Sequence, residues 1–282
     1  MSGTLFVVAT PIGNLEDISP RALRILREVG LIAAEDTRHT GNLLSRFGIT
    51  TPTTSLHEHN EHAKSASLVG RLEAGESIAL VSDAGTPTLA DPGTHLIRQA
   101  IAAGLRVEPV PGPNAAIAAL SVSGLPNDTF TFLGFPPTRS SDRIKWFEEL
   151  RTAGRTVIFY ESPHRISATL TQLYETVGDV RVSVARELTK KHENLVRGPI
   201  SSVISEVQGS RGEFTVVVDV GHKTNVGQSD TPDRAQLPDI FRQMTQDKGM
   251  TRRQAISAIA RRYGLSNNQV YAALENHKKS AI

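Results

Sequence analysis

The chain has 282 residues, 39% of them hydrophobic, with 31 Lys and Arg against 29 Asp and Glu. That length suits one large α/β domain or two, with enough apolar residues for real cores. Cysteine is absent, which excludes disulfides, thiolate zinc sites and a cysteine nucleophile. The apolar stretches are strand-sized and the N-terminus lacks the pattern of a secretory leader, so a cytoplasmic protein without a membrane span is expected.

Charge is unevenly placed. From Thr231 onward there are nine basic and four acidic residues, a surplus of five; the remainder holds 22 basic and 25 acidic. A basic C-terminus on a slightly acidic body points to a polyanionic partner.

Leu5–Ala9 reads as a strand that breaks at Pro11, Gly13 and Asn14. Ser19 then caps a helix with Pro20 at its first position, and Gly30 ends it. Further strands follow at Leu31–Ala34, Ile78–Val81 and Val107–Val110, with helical stretches at Thr94–Ala103 and Ala115–Ser121. This rhythm predicts a mostly parallel sheet covered on both faces. After Gly124–Asp128 a second set begins, with strands at Phe130–Leu133, Thr156–Tyr160, Val182–Ala185 and Phe214–Val220, the last a central strand. Helices are expected near Asp142–Leu150, His164–Thr176 and Ile200–Val207. The fold class is therefore α/β: domains over 1–123 and 124–222, a polar linker over 223–233, and a helical domain over 234–282. In that last part, Thr251–Gln254 and Ser266–Gln269 match the capping-box pattern with a turn at Tyr263–Ser266 between them, the spacing of a helix-turn-helix. Ala255, Ile256, Ile259 and Ala260 form one apolar stripe, and Val270, Tyr271 and Leu274 another.

Four strand-end loops stand out: ATPIGN, AAEDTRHTG, SDAGTPTLADPG and VPGPNAA. The first has one glycine and no lysine, so it is neither a dinucleotide fingerprint nor a triphosphate cradle. Small residues in SDAGTP let the backbone approach a ligand closely, which suits an adenosine-type ligand with few ionic groups.

Together LFVVATPIGNLEDIS, LIAAEDTRHTG, ALVSDAGTPTLADPG, PVPGPNAA, FYESPHR, ARELTK and GEFTVVV resemble the tetrapyrrole methylase superfamily, in particular its branch that modifies ribosomal RNA. The resemblance implies two α/β domains with S-adenosylmethionine in the cleft between them, a small C-terminal helical domain and a homodimer. It also implies 2′-O-methylation of a cytidine ribose in the decoding region of 16S rRNA, within the small ribosomal subunit. The superfamily's G-P-G loop corresponds to Thr10-Pro11-Ile12, so Pro11 carries over and the glycines do not. Its G-G-D-P loop corresponds to Ala84-Gly85-Thr86-Pro87, which implies backbone contacts from Ala84, Gly85 and Thr86, with Leu89 packing nearby. Thr86 stands where the aspartate would be, and Asp83 is the nearest substitute. Asn114, Ala115, Glu161 and Leu188 fall at cofactor-lining positions by the same comparison.

A ribose hydroxyl is a poor nucleophile at neutral pH, so it must be aligned and its proton accepted. Asp36 is the expected base, near a position that the resemblance assigns to acid–base chemistry, with Arg38 and His39 beside it; its bland alternative is a helix cap. Arg165 and Arg186 are candidates for RNA phosphates, although ion pairs with Glu161 and Glu187 would look the same. Arg252, Arg253, Arg261 and Arg262 are the C-terminal RNA candidates. HEHNEH (His57 to His62) suggests a metal only by spacing, and methyl transfer needs none. Two competing readings stay open: a precorrin-type tetrapyrrole methylase, and a non-catalytic RNA-binding assembly factor.

Overall fold

The computed structural model describes residues 2–221, 237–246, 251–263, 270, 271 and 274. Strands and helices alternate through the first part. They are β1 (Thr4–Val8), α1 (Pro20–Glu28), β2 (Leu31–Ala34), α2 (Thr37–Arg46), β3 (Thr53–Ser55), α3 (Glu61–Glu73), β4 (Ile78–Val81), α4 (Thr94–Ala102), β5 (Arg106–Val110) and α5 (Ala115–Ser123). Ser19 accepts from the Ala22 amide and Pro20 sits in the first turn, so α1 starts where its cap residue dictates.

The five strands form a parallel sheet in the order β3-β2-β4-β1-β5. Every residue of β2 (LIAA) and β4 (IALV) is buried, because helices cover both faces. Ala22, Leu26 and Leu44 of α1 and α2 pack with Val8, Ile32 and Val81 on one face. Leu68, Leu72 and Leu96 of α3 and α4 pack with Leu5, Ile78 and Leu80 on the other. The chain thus leaves β1 and its neighbour β4 toward opposite faces, which opens a crevice at their carboxyl ends.

The second set comprises β6 (Phe130–Phe132), α6 (Ser140–Thr152), β7 (Thr156–Glu161), α7 (Ile166–Val177), β8 (Arg181–Arg186), β9 (Asn194–Pro199), α8 (Ile200–Val207) and β10 (Phe214–Asp219). Its sheet runs β6-β7-β10-β8-β9, with the expected β10 at the centre. Only β6 and β7 pair in parallel; the other neighbours are antiparallel. Leu150, Phe159, Leu170, Val203 and Val216 centre the core between this sheet and α6, α7 and α8. The opposite face is covered by α5, whose Ala116, Ala119 and Leu120 meet Ile158, Ala185 and Val217. The stretch 1–123 therefore ends in a helix that packs on the second sheet.

The described C-terminal residues belong to a separate compact unit that begins at Asn225. It contains α9 (Leu237–Gln246) and α10 (Arg252–Tyr263). Thr251 and Gln254 form the expected reciprocal cap: the Thr251 amide donates to Gln254 Oε1 at 3.0 Å, and the Gln254 amide donates to Thr251 Oγ1 at 3.4 Å. Ala255, Ile259, Val270 and Leu274 are buried, as their stripes require. Tyr271 differs: it is exposed, with the Arg252 guanidinium 5.3 Å from its ring centroid. The linker 223–233, the Ser266–Gln269 box and most of the Tyr263–Ser266 turn lie outside the described residues. Among the described residues no helix is long and apolar enough to cross a membrane.

Candidate active site

At the carboxyl ends of β1, β2 and β4, a cleft of about 400 Å³ lies between the two sheets. The first half contributes Ile12, Glu35, Asp83, Ala84, Gly85, Thr86, Leu89 and Asp91. The start of α5 adds Asn114 and Ala115, and the second half adds Phe135, Tyr160, Glu161, Leu188 and Phe214. The walls are apolar and aromatic, with Phe135 and Tyr160 ring centroids 5.4 Å apart.

The loops hold one another in place. Thr10 and Gly85 exchange backbone hydrogen bonds of 2.9 and 3.0 Å, and Gly85 turns there at φ +81°, a conformation that favours glycine. Thr86 Oγ1 donates to the Pro113 carbonyl at 3.1 Å, which ties the third loop to the fourth. The Asp36 amide donates to Asp83 Oδ1 at 3.1 Å, and the Asp83 amide donates to Glu35 Oε2 at 3.4 Å. The first loop also reaches the second half, where the Asn14 amide donates to Thr189 Oγ1 at 3.0 Å.

The cleft's charge has one sign. Its charged lining residues are Glu35, Asp83, Asp91, Glu161 and Glu213, and no described Lys, Arg or His lines it. Burial, together with the charges of Glu35 and Asp83, raises the Asp91 carboxyl to about 6, against an opposing hydrogen bond from Ser82. Burial likewise raises Glu35, while its bond from the Asp83 amide works the other way. Such a site repels a polyphosphate and favours a ligand that carries positive charge. Glu213 is paired with Lys190 at 2.9 Å, and the Glu161 carboxylate is spent internally. It accepts from Arg165 Nε at 2.9 Å and from Thr169 Oγ1 at 2.5 Å, and Arg165 Nη2 lies 2.7 Å away.

A second cavity of about 410 Å³ adjoins the first and shares Ile12, Asp83, Ala84 and Glu213 with it. Pro11, Gly13 and Leu15 line one side, and His39, Asn42, Leu43 and Arg46 of α2 line the other.

Of the residues expected around the cofactor, Asp83, Ala84, Gly85, Thr86, Leu89, Asn114, Ala115, Glu161 and Leu188 all line the cleft, while Pro11 lines the adjoining cavity. Asn114 also caps α5, accepting from the Ile117 amide at 3.0 Å. The catalytic candidates separate. His39 faces the second cavity, but Asp36 and Arg38 line neither. Asp36 is the N-cap of α2: Oδ1 accepts from the Arg38 amide at 2.8 Å, and Arg38 Nε and Nη2 hold the two carboxylate oxygens. These bonds push its carboxyl below the usual carboxylate range. Asp36 thus caps α2, and its amide positions Asp83.

Arg165 is committed to Glu161, leaving a buried Nη1 with no hydrogen-bond partner. Arg186 reaches the His192 carbonyl at 3.4 Å. Arg252 is exposed at the start of α10; Arg253, Arg261 and Arg262 belong to the same helix. In HEHNEH, Glu61 is buried and its Oε1 accepts from the amides of Gly93, His95 and Leu96 at 3.1, 2.6 and 3.2 Å, which caps α4. His62 stacks on His95 with centroids 4.0 Å apart. Among the described residues, no group of three or more His, Asp or Glu is arranged to hold a metal. Glu35, expected beside Asp36, lines the cleft, whereas Asp91, Phe135 and Tyr160 were not expected there; Asp91 follows Ala90, which turns at φ 69°.

Residues 4–204 match the family of tetrapyrrole (corrin/porphyrin) methylases. Proteins named ribosomal RNA small subunit methyltransferase I are similar along most of the chain. The one from Synechocystis sp. is 45% identical over 274 residues, covering 95% of this chain and 96% of its own. That from Pseudomonas aeruginosa is 52% identical over 222 residues, covering 77% and 79%. Solved structures share the fold: a diphthine synthase (TM-score 0.60, 16% identity, 77% of this chain and 90% of that one) and the Thermus thermophilus uroporphyrin-III-C-methyltransferase (TM-score 0.54, 19% identity, 78% and 96%). The chain therefore belongs to the tetrapyrrole methylases and, within them, to the ribosomal RNA small subunit methyltransferase I family.

Proposed function

We propose that this chain methylates ribosomal RNA with S-adenosylmethionine, and that the acceptor is the ribose 2′-hydroxyl of a cytidine in the decoding region of 16S rRNA, in the small subunit. The sign of the cleft's charge carries the reading. A half-apolar pocket with carboxylates and no lining cation suits a nucleoside that bears a sulfonium and an ammonium, and disfavours a nucleoside triphosphate. The same donor set fits the group by another test: Gly85 brings backbone to the wall, where an added Cβ would come within 3.3 Å of Ile12 Cγ2.

When bound, S-adenosylmethionine supplies a methyl group already activated by the sulfonium. The chain's own residues do the rest. Backbone at Ala84–Thr86 and the side chains of Leu89 and Leu188 hold the adenosine. Asp83 and Asp91 balance positive charge, and the cleft carboxylates, rather than Asp36, receive the hydroxyl proton. The two sheets exclude water from the reacting atoms, which aligns them at little further entropic cost. The relatives' names support an rRNA substrate, and the basic C-terminus supports polyanion binding. We place the protein in the cytoplasm as a homodimer, with helical domain 234–282 joined through 223–233 as a further RNA contact.

Isothermal titration tests the donor site: S-adenosylmethionine should bind, and ATP at equal concentration should not. Tight ATP binding would overturn the assignment of the cleft.

A further inference from the structure

Helix α2 turns one side toward the second cavity. His39, Asn42, Leu43 and Arg46 lie at i, i+3, i+4 and i+7, one face of a helix, and all four line it. His39, Asn42 and Arg46 are exposed, and Arg46 forms no ion pair with any described residue. A helical stripe that offers a fixed cation, an imidazole and an amide, each in reach of solvent, has the composition that grips a nucleic-acid backbone. Lys190 on the same cavity differs, since Glu187 and Glu213 hold it at 3.0 and 2.9 Å.

The neighbouring cleft has no lining Lys or Arg among the described residues. The second cavity shares Asp83 and Glu213 with it but adds Arg46 of α2 and Lys190, and the two meet at Ile12, Asp83 and Ala84. We infer that the second cavity is the acceptor-nucleotide subsite: His39, Asn42 and Arg46 hold the phosphates that flank the target ribose, and Ile12 and Asp83 form the wall over which its hydroxyl meets the donor. The inference rests on the reading of the cleft as the methyl-donor site.

Asp83 is suited to that wall. Its Oδ1 is fixed by the Asp36 amide at 3.1 Å, which leaves Oδ2 for a hydroxyl seated in the second cavity. Asp36 and Arg38 hold the first turn of α2, and so the start of the stripe, in place. Pro11 and Gly13 form the opposite rim, where a Cβ at Gly13 would come 3.1 Å from the Leu188 carbonyl and closer still to Thr189 and Lys190. Bulk at position 13 therefore has nowhere to go.

The experiment uses the full chain and small ribosomal subunits that lack the methyl group, with S-adenosylmethionine saturating. Arg46→Ala and the double variant Asn42→Ala/Arg46→Ala are compared with Arg24→Ala, a charge removal on α1. The inference predicts that Arg46→Ala raises KM for subunits about tenfold and lowers the salt slope of binding by about one, while Kd for S-adenosylmethionine stays within about twofold. Arg46→Lys should recover most of the loss, because a phosphate contact needs charge more than shape. Subunit KM and salt slope unchanged in both alanine variants would overturn the subsite. A parent protein that binds S-adenosylmethionine yet labels no small-subunit RNA would instead overturn the functional reading beneath it, so the two failures are distinct.

Discussion

Arg38 closes on both carboxylate oxygens of Asp36, with Nε 3.1 Å from Oδ1 and Nη2 2.7 Å from Oδ2. A carboxylate held in this way, and also capping a helix, has both oxygens engaged with its own helix. Asp36→Asn should therefore retain most of its turnover, well short of the roughly 10²–10⁴-fold loss expected on removing a general base. Asparagine keeps the cap and the backbone amide that holds Asp83. Single-turnover methyl transfer measures this; a loss of two or more orders of magnitude would restore Asp36 as the base.

Asp91 makes the contrary prediction. Its carboxyl titrates near 6 in the fold, above the ordinary value of 3.8, because burial and the Glu35 charge oppose ionisation. The folded state therefore holds this proton more tightly than the unfolded chain. The contribution of Asp91 to stability falls as pH rises from about 4 to about 6 and stays lower above that window. Asp91→Asn should be more stable than the parent near pH 7 by on the order of 1–2 kcal/mol after screening is discounted, with no difference below about pH 4. The same variant should bind S-adenosylmethionine more weakly, and the parent's affinity should drop as pH falls through about 6. Urea unfolding and titration calorimetry across pH check both arms; a difference between Asp91→Asn and the parent that is the same at the two pH values would refute the burial argument.

Glu61 acts purely in the fold. One buried oxygen receives three amides at the start of α4, the helix that follows the cleft loop. Glu61→Ala should cost about 1–3 kcal/mol, the range for a lost cap that leaves buried donors unpaired, and Glu61→Gln should cost less. Urea midpoints at constant m-value measure it. Zinc or nickel added to the parent should leave the midpoint unchanged, since HEHNEH supplies a cap and a histidine stack.

Gly85 sits at φ +81° with its amide and carbonyl both bonded to Thr10. Alanine there takes on left-handed strain of roughly 1–2 kcal/mol and crowds Ile12. Gly85→Ala should raise Kd for S-adenosylmethionine at least about tenfold, a shift of about 1.4 kcal/mol, with circular dichroism unaltered. An unchanged Kd would show that this backbone does not face the ligand.

Much of this architecture can be read from residue order. The β-branched and alanine-rich runs at Leu31–Ala34, Ile78–Val81 and Phe214–Asp219 are buried throughout, and burial on both faces is what a continuous apolar run encodes. Two strands escape that logic. Thr53–Ser55 is a three-residue edge, and Asn194–Pro199 contains Gly198 and Pro199, which a sheet tolerates only at its margin. The antiparallel pairing of the second sheet is also silent in local sequence, because direction is set by how the chain returns. Of the site residues announced by residue type in the loops, Gly85 and Asn114 line the cleft and Pro11 lines the cavity beside it. Those defined by long-range neighbours did not announce themselves: Asp91 becomes unusual only beside Glu35 and Asp83.

The central claim is tested most directly by the fate of a labelled methyl group. Small subunits that lack the modification, incubated with the protein and tritiated S-adenosylmethionine, should take up label that survives alkaline hydrolysis within a dinucleotide, because a 2′-O-methyl ribose blocks cleavage of its own phosphodiester. Label recovered in a base, in a porphyrinoid, or in no product at all would contradict it.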